Sequence, residues 1–183
     1  MAEITRETSL QELAAIISQV LEAEGLIATL SGGAAVSIYT ANRYQSSDLD
    51  FVSSVDSRKL GEVVASLGFQ PTESKRLFSH PDTFWLLEFP AGPLGFGAKV
   101  VDAKQLKAIE TPFGPLRVIT PTLCVMDRLA AFVHWRDRQC YEQAAWVAEN
   151  HKLDWLELEQ WATKEKMDEA AWIQFAKLRD RVE

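Results

Sequence analysis

Apolar and polar positions follow two rhythms along this chain, and the change falls near residue 120. Ser9 to Glu24, SLQELAAIISQVLEAE, sets Leu10, Leu13, Ile16, Ile17, Val20 and Leu21 on one stripe. The spacing of three and four predicts an amphipathic helix. Ser9 is placed to cap it, with Glu12 three residues on as return partner, and Gly25 to end it. Leu26 to Leu30 is a short apolar run, read as a buried strand. Gly33 to Thr40 reads as a helix, and Leu49, Phe51 and Val52 with their interleaved aspartates as a second strand. Asp56 to Leu67 is a capped helix ending at Gly68. Thr83 to Phe89, Lys99 to Val101 and Leu116 to Ile119 read as further strands. Pro90 to Gly97 is a turn-rich loop, and Gly114-Pro115 a turn.

Beyond Pro121 the rhythm is helical nearly throughout. Thr122 to Arg179 contains neither glycine nor proline. Its apolar positions fall in four groups, led by Leu123, Tyr141, Trp155 and Trp172, which predicts about four helices of ordinary length. The expected layout is a core of helices and short strands over 1–120, then a helical region over 121–183 packed on it. Helices alternating with short strands imply an α+β or α/β sheet fold.

Composition narrows the class. At 183 residues the chain can bury a sizeable core without a disulfide or zinc staple. No apolar run approaches the ~20 residues that span a bilayer. The stretch MAEITRETSLQEL lacks the basic start and apolar core of a secretion signal. Cys124 and Cys140 have no metal-ligand spacing and form no disulfide framework, and both read as small buried hydrophobes. A cytoplasmic protein with reduced thiols and no membrane partner is expected. The net charge of −7 argues against a surface that binds nucleic acid as a whole, and favours a nucleotide, small-molecule or protein partner.

Candidate chemistry gathers in LSGGAAVSIYTANRYQSSDLDFV, Leu30 to Val52. Side chains alternate across a strand, so Asp48 and Asp50 project from one face. Two such carboxylates repel unless a cation lies between them or one takes up a proton. Hard oxygen ligands suit Mg²⁺. Two ions about 3.5–4 Å apart can clamp an in-line phosphoryl or nucleotidyl transfer. Ser31, Gly32 and Gly33 precede a helix. Glycine lets the backbone approach a ligand, and the N–H groups at a helix start suit phosphate oxygens. Ser31 either touches that phosphate or caps the helix. Arg43 either anchors phosphate or pairs with Asp48. His80 and His134 read as structural, and most of the six tryptophans as packing residues. Trp135, beside Arg136, is a candidate for stacking on a base, and Arg136-Asp137-Arg138 reads as a solvated helix face.

The order strand, SGG, helix, DLDF resembles the active-site signature of the nucleotidyltransferase superfamily, built on a DNA polymerase β-like core. RYQSSDLD, Arg43 to Asp50, is similar to the form in small bacterial minimal nucleotidyltransferases and abortive-infection toxins of toxin–antitoxin pairs. The resemblance extends to ITPTLCVMDRLAAFVHWRDRQCYEQA, Ile119 to Ala144. It implies an α+β fold, a nucleotidyltransferase-like mixed β-sheet with helices, followed by the C-terminal helical half. It implies an enzyme that moves a nucleoside monophosphate from an NTP to a hydroxyl of a protein, tRNA or small molecule, with two Mg²⁺ ions. Asp48, Asp50 and a third carboxylate would be the catalytic metal ligands. Glu88 is assigned that third place, with Asp102 as its competitor. Ser31, Gly32, Gly33, Arg43 and Arg128 would bind nucleotide. Two other roles follow from the same resemblance: a catalytically degenerate binding module, and a toxin held by an antitoxin-like partner. The Tyr44-Gln45-Ser46-Ser47 linker and Asp127-Arg128, where many small members carry a lysine, depart from the family pattern.

Overall fold

Ser9 starts the first helix as expected: in the computed structural model its Oγ accepts the Glu12 N–H at 3.2 Å. The structure describes residues 3–181. Met1, Ala2, Val182 and Glu183, at the outer ends of the two expected segments, lie outside the described residues. Helix α1 (Leu10–Ala23) buries Leu10, Leu13, Ile17 and Leu21 of the expected stripe, leaves its Ile16 and Val20 half-buried and adds Ala14 and Ala15 to the buried face, and the chain turns away at Gly25 with φ +69°.

Strand β1 (Thr29–Ser31) follows, then α2 (Gly32–Tyr39), β2 (Asp48–Val52) and α3 (Ser57–Ala65). The Asp56 carboxylate caps α3 by accepting the Arg58 N–H at 2.9 Å. Next come β3 (Gln70–Pro71), β4 (Leu77–Ser79) and β5 (Leu86–Glu88). The five strands form one mixed sheet in the order β1-β2-β5-β4-β3. β2 runs antiparallel to β1 and parallel to β5, with Asp50 opposite both Ser31 and Glu88. Burial along β2 has period two: Leu49 and Phe51 are buried, and Asp48, Asp50 and Val52 face the other side, half-buried.

Two short ribbons leave this sheet. One pairs β6 (Gly95–Phe96) with β7 (Lys99–Val100), and the other β8 (Ile109–Thr111) with β9 (Gly114–Leu116). The expected strand Leu116 to Ile119 is divided. Its start closes the β8–β9 hairpin, and its end crosses to the free edge of β1, where Leu30 donates to the Arg117 carbonyl and accepts from Ile119 N–H, both at 3.0 Å. The expected strand Thr83 to Phe89 shrinks to Leu86–Glu88, with Phe84 68% exposed. Strands β3, β4 and β8 carry no alternating run of their own, and pairing with neighbours makes them strands.

Four helices follow, as expected: α4 (Pro121–Trp135), α5 (Arg138–Ala148), α6 (Trp155–Lys164) and α7 (Glu169–Ala176). Thr120 caps α4, with Pro121 at the first helical position. Asp137, Asp154 and Asp168 cap the other three, so three aspartates divide a stretch with no glycine or proline. α4 packs on α2, α5, α6 and β6, and carries its Asp127-Arg128 face to the open side of β1 and β2. Among the described residues no helix is long and apolar enough to cross a membrane.

Candidate active site

Three carboxylates meet where β2 and β5 run side by side. Asp48, Asp50 and Glu88 each place an oxygen within 4.8 Å of the others. The register explains it: Asp50 lies opposite Glu88 in the parallel pair, and Asp48 is two residues back on the same face. Asp102, the competitor for the third place, caps a turn elsewhere by accepting the Lys104 N–H at 3.0 Å. The Ser46 hydroxyl donates to Asp48 Oδ1 at 2.8 Å and fixes that carboxylate. Ser46 is in turn held by its own N–H on Ser37 Oγ at 3.0 Å. Burial first, then the neighbouring Asp48, Glu88 and Asp127 carboxylates, push Asp50 up to about 7, against the pull of Arg128. This crowd of hard oxygen donors fits a divalent cation, which would let all three stay charged.

The SGG turn sits directly against this cluster. Gly32 has φ +65°, and a Cβ there would run into the Asp50 carboxylate. A Cβ on Gly33 would press on Ser46 Oγ at 2.9 Å and the Tyr44 ring at 3.0 Å. The two glycines let the start of α2 and the loop before β2 close on each other. Ser31 occupies the N-cap position, yet its side chain makes no cap bond and lines the cleft instead, which corrects the capping alternative.

The cleft is walled by Ser31, Gly32, Asp50, Pro93, Asp127 and Arg128, among others. Its volume is about 320 Å³. Arg128 borders it, paired to Asp127 at 2.7 Å. Burial works against the Arg128 charge, but Asp127 outweighs it and holds the guanidinium above its ordinary value. Arg43 does not reach the cleft. Ala41 and Asn42 take left-handed conformations and turn it outward. It bonds Glu149 at 3.2 Å and lies over the Trp146 ring, so it neither pairs with Asp48 nor faces the carboxylates. Sequence reasoning missed Ser46 and Asp127. A serine two residues before a metal-type aspartate was a usable signal for Ser46. Asp127 lies 77 residues beyond Asp50 (127 − 50), and nothing local marks it.

The remaining candidates are structural or peripheral. His134 pairs with Glu165 at 2.7 Å, and His80 bonds the Leu67 carbonyl at 3.0 Å. Trp161 is buried, whereas Trp135 is 69% exposed beside the exposed Arg136-Asp137-Arg138 turn. Both cysteines are buried, and burial chiefly pushes Cys140 up to about 11.

This arrangement, a mixed sheet with β1, a helix and an acidic β2 followed by a helical half, is the nucleotidyltransferase fold. The chain is similar in fold to an antigenic nucleotidyltransferase-like protein from Paracoccidioides brasiliensis, with a TM-score of 0.64 at 12% identity over 95% of this chain and 94% of that one. It is similar also to the antibiotic-resistance factor ANT(2'')-Ia, with a TM-score of 0.54 at 16% identity over 90% and 95% of the two chains. No family model and no curated protein matches the sequence.

Proposed function

We propose that the protein is an Mg²⁺-dependent nucleotidyltransferase that moves a nucleoside monophosphate from an NTP to an acceptor hydroxyl. The observation that carries this reading is the Asp48–Asp50–Glu88 cluster, whose Asp50 lies against the Gly32 turn at the wall of the cleft. Asp48, Asp50 and Glu88 would hold the divalent ions, whose charge stabilises the developing phosphoryl oxygens when bound. Gly32, with the N-terminus of α2 behind it, and Arg128 orient the triphosphate. Glu88 accepts the proton of the acceptor hydroxyl as its oxygen attacks the α-phosphorus, and the bond to the bridging oxygen breaks to release pyrophosphate. Ser46 keeps Asp48 in its orientation through its hydrogen bond. The fold likeness to ANT(2'')-Ia and to the antigenic nucleotidyltransferase-like protein supports the reading at the level of the scaffold.

Calorimetry with ATP, GTP, CTP and UTP, with and without Mg²⁺, tests it beside the Asp48→Asn/Asp50→Asn double variant. Metal-dependent nucleotide binding that the double variant loses is the expected result. Failure of every nucleotide to bind the wild type would sink the proposal.

A further inference from the structure

The cleft already contains an anion, and it belongs to the chain. The Gly32 N–H, at the start of α2, donates to Asp127 Oδ2 at 3.2 Å. The same oxygen accepts from Arg128 Nε at 3.2 Å and Nη2 at 2.7 Å. A helix N-terminal N–H and a guanidinium are the two groups here best suited to a phosphate oxygen. Both are held by one carboxylate.

Arg128 has anchors besides this carboxylate, whereas the carboxylate is held by Gly32 and Arg128 alone among the described residues. Gly32 packs so closely on Asp50 that the turn leaves no room for a side chain. Arg128 keeps other anchors, because Nη1 donates to Gln143 Oε1 at 3.4 Å and to Cys140 Sγ at 3.7 Å, and Gln143 is buried. Among the described residues Asp127 has no hydrogen-bond partner beyond Gly32 and Arg128, and its side chain borders the open cleft. It is also a second carboxylate in the cleft beside Asp50, where added negative charge opposes an incoming polyphosphate.

Building on the nucleotidyltransferase reading, we infer that Asp127 is an internal occupant of the triphosphate position. Its carboxylate holds the Gly32 N–H and Arg128 until a nucleotide phosphate takes both. Asp127 therefore sets how tightly the cleft binds nucleotide, and swings aside by side-chain rotation when the phosphate enters. A purely structural role, in which Asp127 braces Arg128 for the ligand, makes the opposite prediction.

The test compares wild type with Asp127→Asn by calorimetry in Mg²⁺, using inorganic tripolyphosphate, the four NTPs and a nucleoside as probes. The expected result is binding of tripolyphosphate and NTP tighter by about tenfold or more in the variant, from the removed like charge, with nucleoside binding unchanged. Equal or weaker triphosphate binding by a variant that melts like wild type overturns the inference and leaves the transferase reading standing. Failure of both proteins to bind any triphosphate removes that reading and this inference together. A second measurement uses wild type alone. The Gly32 amide resonance must shift on adding tripolyphosphate with Mg²⁺, and a resonance that stays in place overturns the inference even if the variant does not fold.

Discussion

Asp50 lies under conflicting demands. It lies half-buried among three other carboxylates, so in metal-free protein burial and their charge raise its pKa to about 7. The ordinary unfolded value is about 3.9. The folded state thus binds this proton more tightly, and stability falls as pH rises from about 4 to about 7, then levels off. Asp50→Asn removes that dependence. In chelator the variant is expected to match wild type closely at pH 4 and exceed it at pH 8 by on the order of 2–4 kcal/mol. Urea midpoints at the two pH values check this, and a gap that fails to widen rejects it. Added Mg²⁺ should narrow the gap by stabilising only the wild type. Ser46 acts on the neighbouring carboxylate. Ser46→Ala frees Asp48 Oδ1 and is expected to weaken metal binding about tenfold to a hundredfold, a loss readable by Mn²⁺ titration.

At the scale of elements, the strand-to-helix turn between β1 and α2 aligns everything in the cleft. Gly32→Ala meets two obstacles, a left-handed φ and the Asp50 carboxylate. A loss of about 1–2 kcal/mol in thermal melts is expected from the backbone alone, together with loss of metal binding. Gly25→Ala is the control. It shares a positive φ, +69°, but has nothing within 4 Å of the added methyl. It should cost about 1 kcal/mol and leave metal titrations unchanged. Local signals made this turn and its flanking strands readable, because β1, α2 and β2 are contiguous in sequence. β3, β4 and β8 were not readable, because strands of two or three residues are stabilised by partners rather than by their own pattern.

For the whole molecule, the helical half does more than add length. Leu123, Val125, Met126 and Leu129 on α4 are buried in the same core as Leu30, Leu49 and Phe51. The Trp161 indole N–H donates to the Phe96 carbonyl at 2.9 Å, which ties α6 to the lip of the cleft. A fragment ending at residue 120 would expose this seam and lose Asp127, Arg128 and their anchors. It is expected to show no cooperative urea transition, and a sharp transition with native-like circular dichroism would disprove the dependence. In the full chain, Trp161→Phe leaves the Phe96 carbonyl unpaired, and a destabilisation of about 1–3 kcal/mol is expected in urea titrations.

The amino-acid sequence by itself determined what depends on neighbours along the chain. These are the stripe and cap of α1, the glycine turn, the shared face of Asp48 and Asp50, and the proline-started α4 followed by three more helices. Periodicity and capping are local physics, legible within a few residues. Tertiary structure decided what depends on distance. It set Glu88, not Asp102, beside Asp48 and Asp50 through the β2–β5 register, sent Arg43 out to Glu149, and laid Asp127 on the Gly32 N–H. Strand pairing and helix packing set those meetings, and no spacing along the chain encodes which remote side chain a fold brings to a given N–H.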